Sequence, residues 1–334
     1  MQSLSFVIIG CGRIGFRHAE HIENNGKLVA VCDIDASKAD ELAKKYDSKA
    51  YYSFEEFLES KLKFDVVVVC SPNGLHAYHT IQALKMGCHV VCEKPMALNA
   101  ADCRVMIETA EKVNKRLFIV KQNRFNPPVE ALKKALIENV LGEITNVQLN
   151  CFWNRNKDYY SSSTWKGSQN MDGGILYTQF SHFIDLLYWL VGDVVDVRSY
   201  KLKSKREEIE FEDTLVSVLK FYNGAIGTAN FCINSFKKNM EGSITLFGEK
   251  GTVKIGGQYL NELDYQMIDN FEIKNLPAGN PANNYGSYQG SMSNHDKVYE
   301  NVVEVLKNNG VIATNGFEGQ KTVEIIDRIY RSCE

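Results

Sequence analysis

The sequence lacks a surplus of charge of either sign: 38 Lys and Arg against 41 Asp and Glu give a formal net charge of −3. With no long basic run beside that balance, a nucleic-acid surface is not expected. It also lacks a long apolar stretch. Met1-Gln2-Ser3 leads straight into Leu4–Ile9, a run too short to cross a bilayer and needed as a strand, so neither a membrane span nor a signal peptide is expected. The nine cysteines form no metal-binding pattern. Cys88 and Cys92 stand four apart, without a second cysteine pair or a histidine pair to complete a zinc site. Cys32, Cys70 and Cys92 lie in apolar runs, so buried free thiols in a reducing cytoplasm are expected, and no metal. Internal repeats are absent too. What remains is an ordinary globular composition, 44% hydrophobic over 334 residues, a length that predicts two domains.

Through residue 121 short apolar runs alternate with amphipathic stretches. Phe6–Ile9, Leu28–Cys32, Phe64–Cys70, Cys88–Cys92 and Leu117–Lys121 read as strands, the valine-rich third as one buried on both faces. Arg13–Asn25, Ser37–Tyr46, Ser53–Ser60, His76–Met86 and Ala100–Asn114 read as helices, with Gly26 and Gly87 as stops and Ser53 with Glu56 as a capping box. Such alternation predicts an α/β domain built on a doubly wound parallel sheet with right-handed crossovers. Past Pro127-Pro128 the character changes. A helix over Val129–Asn139 precedes strand-like segments at Ile144–Trp153, Val194–Lys203, Thr214–Phe221, Ala225–Cys232, Ser243–Phe247 and Thr252–Ile255. Asn223-Gly224 is a hairpin signal and Gly248–Gly251 a looser one, so this second sheet is expected to be antiparallel. Ile175–Val191, His295–Asn308 and Phe317–Arg331 read as helices. Residues 276–294, rich in Asn, Gly, Ser and Tyr, read as a loop over the site or against a partner subunit. The expected domains are 1–121 and 122–334.

Gly10-Cys11-Gly12-Arg13-Ile14-Gly15 follows the first strand and opens the first helix, the setting that a dinucleotide fingerprint requires. Gly10 permits a tight turn, Gly12 a close approach of backbone to pyrophosphate, and Gly15 close packing of helix on strand. The helix N-terminus then offers free N–H groups to the phosphates. Asp33, at the end of the second strand, suits the adenosine ribose and would repel a 2′-phosphate; Ile34 follows where an arginine would favour NADP. NAD is therefore the expected cofactor, with Arg13 and Lys38 the cations within reach of a phosphate. Ser71-Pro72-Asn73 ends the valine strand and is expected under the cofactor's centre, the blander reading being a turn with an asparagine cap. Glu93-Lys94-Pro95 follows the fourth strand. There Glu93 is expected at the nicotinamide ribose and Lys94 at the reacting hydroxyl, unless the two are a surface ion pair. Further on, Thr178, His182, Asp185 and Trp189 fall within about 60° of one another if Ile175–Val191 is one helix. Phe183, Ile184, Leu187, Leu190 and Val191 occupy the opposite side. A lone histidine of this kind is more often structural, but the Gly173-Gly174 entry and Gln179 favour a functional stripe.

Gly-x-Gly-x-x-Gly, Ser-Pro-Asn-x-x-His ending at His76, Glu-Lys-Pro, and Gly-Gly followed after seven residues by His182-x-x-Asp185 occur in this order. Together they resemble the glucose–fructose oxidoreductase/inositol dehydrogenase/MocA family, over essentially the whole chain. The resemblance implies an N-terminal Rossmann domain and a C-terminal α+β domain whose large open, mostly antiparallel sheet serves as an oligomer interface, hence a homo-oligomer, dimer or tetramer. It implies Lys94 and His182 as the catalytic pair. It implies cofactor contacts from Gly10, Gly12, Arg13, Ile14, Gly15, Asp33, Ser71, Pro72, Asn73, His76, Glu93, Lys94, Gln122, Trp165 and Lys166. The family often has an aspartate four residues before the histidine; this chain has Thr178, which points away from the inositol dehydrogenases. A narrower likeness runs through Lys121–Pro127, Phe152–Arg155, Tyr159-Tyr160, Trp165–Gly167, Gln179, Glu212–Thr214 and Asn223–Ala225. These look like the dehydrogenases that oxidise UDP-N-acetylglucosaminuronate at its 3-hydroxyl in surface-polysaccharide synthesis, which usually carry Arg in place of Lys166 and Asn in place of Thr178. The likeness implies substrate contacts from Lys94, Arg124, Arg155, Tyr159, Thr178, Gln179 and His182. Arginine at 124 or 155 suits a sugar carboxylate or a diphosphate through bidentate bonds.

The implied chemistry is oxidation of a ring secondary alcohol. A histidine, with an unperturbed pKa of about 6.5, accepts the hydroxyl proton near neutrality. A lysine ammonium stabilises the developing alkoxide, and nicotinamide takes the hydride. Two other readings stay open: a dehydrogenase of a free sugar or inositol, and a non-catalytic NAD-binding sensor.

Overall fold

The computed structural model describes residues 3–284 and 289–334. It divides into two compact units, Met1–Val120 with His295–Gln320, and Lys121–Asn294 with Lys321–Glu334. In the first unit β1 (Leu4–Ile9), α1 (Arg13–Asn25), β2 (Gly26–Cys32), α2 (Ala36–Lys45), β3 (Lys49–Tyr51), α3 (Phe54–Leu58), β4 (Val66–Val69), α4 (His76–Lys85), β5 (His89–Cys92), α5 (Ala100–Lys112) and β6 (Leu117–Ile119) follow one another. The six strands lie in the order β3-β2-β1-β4-β5-β6, all parallel. Val66–Val69 are buried without exception, as a central strand covered on both faces requires. Ser53 caps α3 by accepting from the Glu56 N–H at 3.0 Å. Strand order reverses between β1 and β4, and in such sheets the crevice beyond the carboxyl ends at that point receives the ligand. The glycine turn after β1, Ser71–Asn73 after β4 and Glu93 after β5 all sit at that end.

The second unit runs through α6 (Pro127–Ile137), β7 (Ile144–Phe152), α7 (Lys157–Ser161), α8 (Ile175–Thr178), α9 (Ser181–Val191), β8 (Val194–Leu202), β9 (Thr214–Phe221), β10 (Ile226–Cys232), β11 (Glu241–Gly248), β12 (Gly251–Gly256), β13 (Glu262–Ile268), β14 (Ala282–Asn284) and β15 (Gln289–Met292). Its seven-stranded sheet has the order β13-β12-β11-β7-β10-β9-β8. All neighbours are antiparallel except β7 with β10, so the sheet is mixed. Asn223-Gly224 makes the β9–β10 turn, with Gly224 at φ +90°. Two helices close the chain, α10 (His295–Asn308) and α11 (Gly316–Arg331). Among the described residues no helix is long and apolar enough to cross a membrane. All nine cysteines are free thiols.

Three expectations change. Ile175–Val191 is not one helix. The N–H groups of Gln179 and Phe180 both bond to Ile175 O, at 3.0 and 3.1 Å, which widens the turn and ends α8. Phe180 there packs on Trp153, Phe183 and Phe231. The helical stripe is thus His182, Asp185 and Trp189 on α9, and Thr178 belongs to the turn before it. Segment 276–294 is not wholly loop, since β14 and β15 pair within it; its residues 285–288 lie outside the described residues. Finally, His295–Gln320 returns to the first unit, a step that the sequence reading did not include. The reason is one face of α10: His295, Val298, Tyr299 and Val302 are buried, and the Tyr299 ring lies 5.8 Å from that of Phe6.

Candidate active site

In the first unit β1 ends at Ile9 and the chain turns at Gly10, whose φ of +100° suits glycine; a Cβ there would lie 2.5 Å from Cys70 O. A Cβ on Gly15 would lie 2.2 Å from Gly10 O. Gly12 differs, for nothing stands within 4 Å of where its Cβ would be. As N-cap of α1 it brings no capping side chain, and the first turn holds no acid. The helix end therefore has N–H groups and a positive dipole to offer an anion. Arg13 is exposed in that first turn and Ile14 half-buried beside it. Asp33 is fixed by backbone: its Oδ2 accepts from Cys11 N–H at 2.7 Å and its Oδ1 from Asp35 N–H at 2.9 Å. Carboxylate oxygens accept more than one bond, so a ribose diol can still donate to them. Lys38 pairs with Asp35 at 2.8 Å. An open cradle, a helix end without its own anion and a held carboxylate fit a dinucleotide with a free 2′-hydroxyl.

At the neighbouring strand ends, Pro72 leads into a short turn that buries Asn73. His76 is buried, with Nε2 2.9 Å from Ser71 O and Nδ1 2.6 Å from Pro95 O. The ring expected at the cofactor thus braces the Ser71 and Pro95 backbones against each other. The Lys94–Pro95 peptide is cis, and Lys94 is half-buried. Glu93 is 5% exposed. Its Oε1 lies 2.9 Å from His18 Nε2 and 3.4 Å from His295 Nε2, while its Oε2 accepts from Lys94 N–H at 3.0 Å. Burial pushes this carboxyl's pKa up, but the two histidines outweigh it and hold it well below the usual range. Burial keeps the His18 and His76 pKa values below the usual histidine value, and His21 and His79 down at about 4.

In the second unit Gln122 Nε2 lies 3.3 Å from His182 Nε2. With the amide NH₂ turned toward the ring, His182 Nε2 is the acceptor and holds the lone pair that a base requires. Arg124, expected at the substrate, gives a bidentate pair to Asp185 instead: Nε to Oδ2 at 2.8 Å and Nη2 to Oδ1 at 2.7 Å. Lys121 stands 3.5 Å from the same carboxylate and Thr322 bonds to it. Burial raises the Asp185 pKa, yet the two cations draw it down to about 2. Arg155 is buried too, with Nε on Gln179 Oε1 at 2.6 Å, Nη1 on Asn239 Oδ1 at 3.1 Å and its guanidinium over the Trp153 and Tyr159 rings. Gln179 Nε2 donates to Tyr159 Oη at 2.8 Å. Asp172 draws its loop together, accepting from Gly167 N–H at 2.8 Å and from the Thr178 hydroxyl. Half-buried Trp165 precedes Lys166, whose Nζ lies 4.1 Å over the Tyr159 ring.

Family models match both halves: the oxidoreductase family's NAD-binding Rossmann fold over residues 4–121, and its C-terminal alpha/beta domain over 133–334. The chain belongs to the Gfo/Idh/MocA oxidoreductase family. As a member it is an NAD-dependent dehydrogenase of sugar or polyol hydroxyls, an oxidoreductase acting on CH–OH donors. Among solved family structures, the WlbA dehydrogenase from Chromobacterium violaceum, in complex with NADH and UDP-GlcNAcA, is 33% identical with a TM-score of 0.89, covering 99% of this chain and 94% of that one. The WlbA dehydrogenase from Bordetella pertussis, with the same two ligands, is 34% identical with a TM-score of 0.88, covering 99% and 96%. D-glucoside 3-dehydrogenase of Escherichia coli is 32% identical over 67% of this chain and 68% of its own length.

The sequence reading missed the partners of Glu93 and of Asp185. His18 falls among the buried positions Gly15, Ala19 and Ile22 of α1, where a histidine passes for a core residue. His295 and Tyr299 share one face of a helix some 200 residues beyond Glu93. Lys121 and Thr322, bonded at 3.2 Å, lie as far apart in sequence. No local pattern links such residues.

Proposed function

We propose that this Gfo/Idh/MocA enzyme oxidises the 3-hydroxyl of UDP-N-acetylglucosaminuronate, or a close nucleotide-sugar uronate, in lipopolysaccharide or O-antigen sugar synthesis. The observation that carries this is charge. In the second unit a cavity of about 260 Å³ is lined by Arg155, Lys157, Arg206 and Lys237 against the single acid Glu208. A neutral sugar has no use for such a lining, whereas a diphosphate and a carboxylate do. Buried Arg155 also ties that lining to Gln179, three residues before His182. Likeness to the two WlbA dehydrogenases supports the same substrate.

In this reading Lys94 and His182 act on one substrate oxygen. His182 Nε2 accepts the hydroxyl proton once the substrate hydroxyl takes the place of the Gln122 amide at that nitrogen. The Lys94 ammonium hydrogen-bonds the same oxygen and stabilises alkoxide charge. Gly12, the end of α1 and Asp33 hold the dinucleotide, with Asn73 and the Ser71-Pro72 backbone beneath it. NAD supplies the hydride acceptor. Free thiols throughout agree with a cytoplasmic setting.

The test is NADH formation with UDP-N-acetylglucosaminuronate, compared with hexoses, glucosides and inositols, alongside a thermal-shift screen of the same compounds. Turnover and stabilisation only by the nucleotide sugar are expected. Turnover of a free sugar or inositol without it would favour the rival enzyme, a reading supported by the likeness to D-glucoside 3-dehydrogenase. A chain that binds NADH and turns over nothing would be a sensor.

A further inference from the structure

Glu93 sits one residue before the lysine of the proposed reaction, yet its carboxylate is buried in a cluster contributed from three places in the first unit. Both oxygens of the carboxylate are met by donors of this unit, while His295 Nδ1 is buried without a hydrogen-bond partner among the described residues. Tyr299 Oη lies 2.8 Å from His18 Nδ1; if the phenol donates, His18 carries its proton on Nε2 and donates it to Glu93 Oε1. His295 Nε2, 3.4 Å away, donates to the same oxygen. Glu93 Oε2 then receives the Lys94 backbone N–H at 3.0 Å. In that arrangement His18 is a neutral donor, in keeping with its pKa, which burial lowers. The three ligand atoms come within 4.8 Å of one another, but Nε2–H groups aimed at a carboxylate are donors, and a metal would need lone pairs there.

We propose that His18 and His295 are positioning residues: they fix the Glu93 carboxylate, which holds the Lys94 backbone and so sets where the Lys94 ammonium stands. His76 secures the other side of the turn through Pro95 O. The proposal rests on the reading of Lys94 as the group that meets the substrate oxygen. A rigid anchor makes sense there, since a misplacement of about 1 Å can cost about a hundredfold in rate.

The experiment compares His295→Leu with His295→Gln, and His18→Leu with His18→Gln, because a glutamine NH₂ can replace the donated hydrogen bond. Four readouts are taken on each full-length variant: NADH affinity, kcat and KM separately, the rate at which an acylating reagent labels Lys94 as followed by mass spectrometry, and bound zinc. Expected are a fall in kcat of about tenfold or more in the leucine variants with NADH affinity within about twofold, a changed Lys94 labelling rate, and recovery of most of both in the glutamine variants. If a leucine variant does not fold, Tyr299→Phe, which removes only the phenol that sets the His18 tautomer, carries the test with a fall of a few fold. Loss of NADH affinity in step with activity would overturn the proposal by making Glu93 a cofactor ligand. So would glutamine performing no better than leucine, unchanged kcat and labelling, or stoichiometric zinc lost in the variants. Lys94 labelling needs no substrate. If the wild type turns over no alcohol, the functional reading fails while the positioning role is still decided.

Discussion

At Lys94 the proposed reaction needs an ammonium, whereas the proposed holders of the dinucleotide are backbone and Asp33. Lys94→Ala should therefore lower kcat by at least about a hundredfold while NADH binds within about twofold of wild type. Near-normal turnover in that variant would remove Lys94 from the mechanism. At Asp185 the question is stability. Its pKa of about 2 in the fold lies below the ordinary 3.8. The unfolded chain thus takes up the proton first, so the ion pair's contribution is complete above about pH 4 and is lost as pH falls through 2. The shift corresponds to about 2 kcal/mol. Asp185→Asn would leave the buried Arg124 and Lys121 without that carboxylate and should cost about 3 kcal/mol at neutral pH. Urea titrations followed by tryptophan emission should show this gap, and show it narrowing below about pH 4. A pH-independent gap would mean that the carboxylate's charge is not what matters.

The glycine turn and α1 behave as one element, and its three glycines should fail in different ways. A Cβ at Gly15 meets Gly10 O at 2.2 Å, so Gly15→Ala should destabilise the apo protein by about 2–4 kcal/mol. A Cβ at Gly12 meets nothing, so Gly12→Ala should melt like wild type without cofactor and yet lose NADH affinity by about tenfold or more, because in the proposed binding mode the methyl takes space that the phosphates need. Apo melting curves and NADH titrations on the two variants separate these outcomes; equal NADH affinity in Gly12→Ala would place the pyrophosphate elsewhere. This element was legible in the sequence because its function depends on local geometry. The same holds for the valine strand β4, the Ser53 cap and the Asn223-Gly224 turn. The division of Ile175–Val191 was not legible, since a helical period continues through Gln179-Phe180 and only the packing of Phe180 on Trp153 and Phe231 ends it. Short β3 and polar β13 gave too little alternation to read. Arg124 and Arg155 were found as residues but not as partners: a bidentate arginine suits a substrate carboxylate and a buried aspartate equally well, and the sequence does not say which is closer.

At the scale of the whole molecule, one face of the seven-stranded sheet carries a row of exposed apolar side chains. Along β9 the burial alternates, with Leu215, Ser217, Leu219 and Phe221 inward and Val216, Val218 and Lys220 outward. Register puts Tyr200 of β8 beside Val216, and Ile226 of β10 beside Lys220. Tyr200 is 69% exposed, Val218 57%, Ile226 55% and Met267 of β13 68%. Helix α9 packs on this sheet through the inward side, where Phe183 approaches Gly242 of β11. An outward face carrying Val, Ile, Tyr and Met is what a self-associating sheet needs, and a monomer would gain nothing from keeping it in water. The prediction is a homo-oligomer assembled through this face. Each copy of a symmetric interface presents the same patch, so one charge introduced on Val218 enters twice and is buried against its like. Val218→Glu should lower the mass seen by light scattering to that of a smaller assembly, with the circular dichroism spectrum unchanged because the side chain points away from the core. A charge at Ile137, 74% exposed on α6 rather than on the sheet, should leave the mass as it was. If both variants keep the wild-type mass, the sheet face is not the interface; if the wild type is itself a monomer, the apolar face has some other occupant.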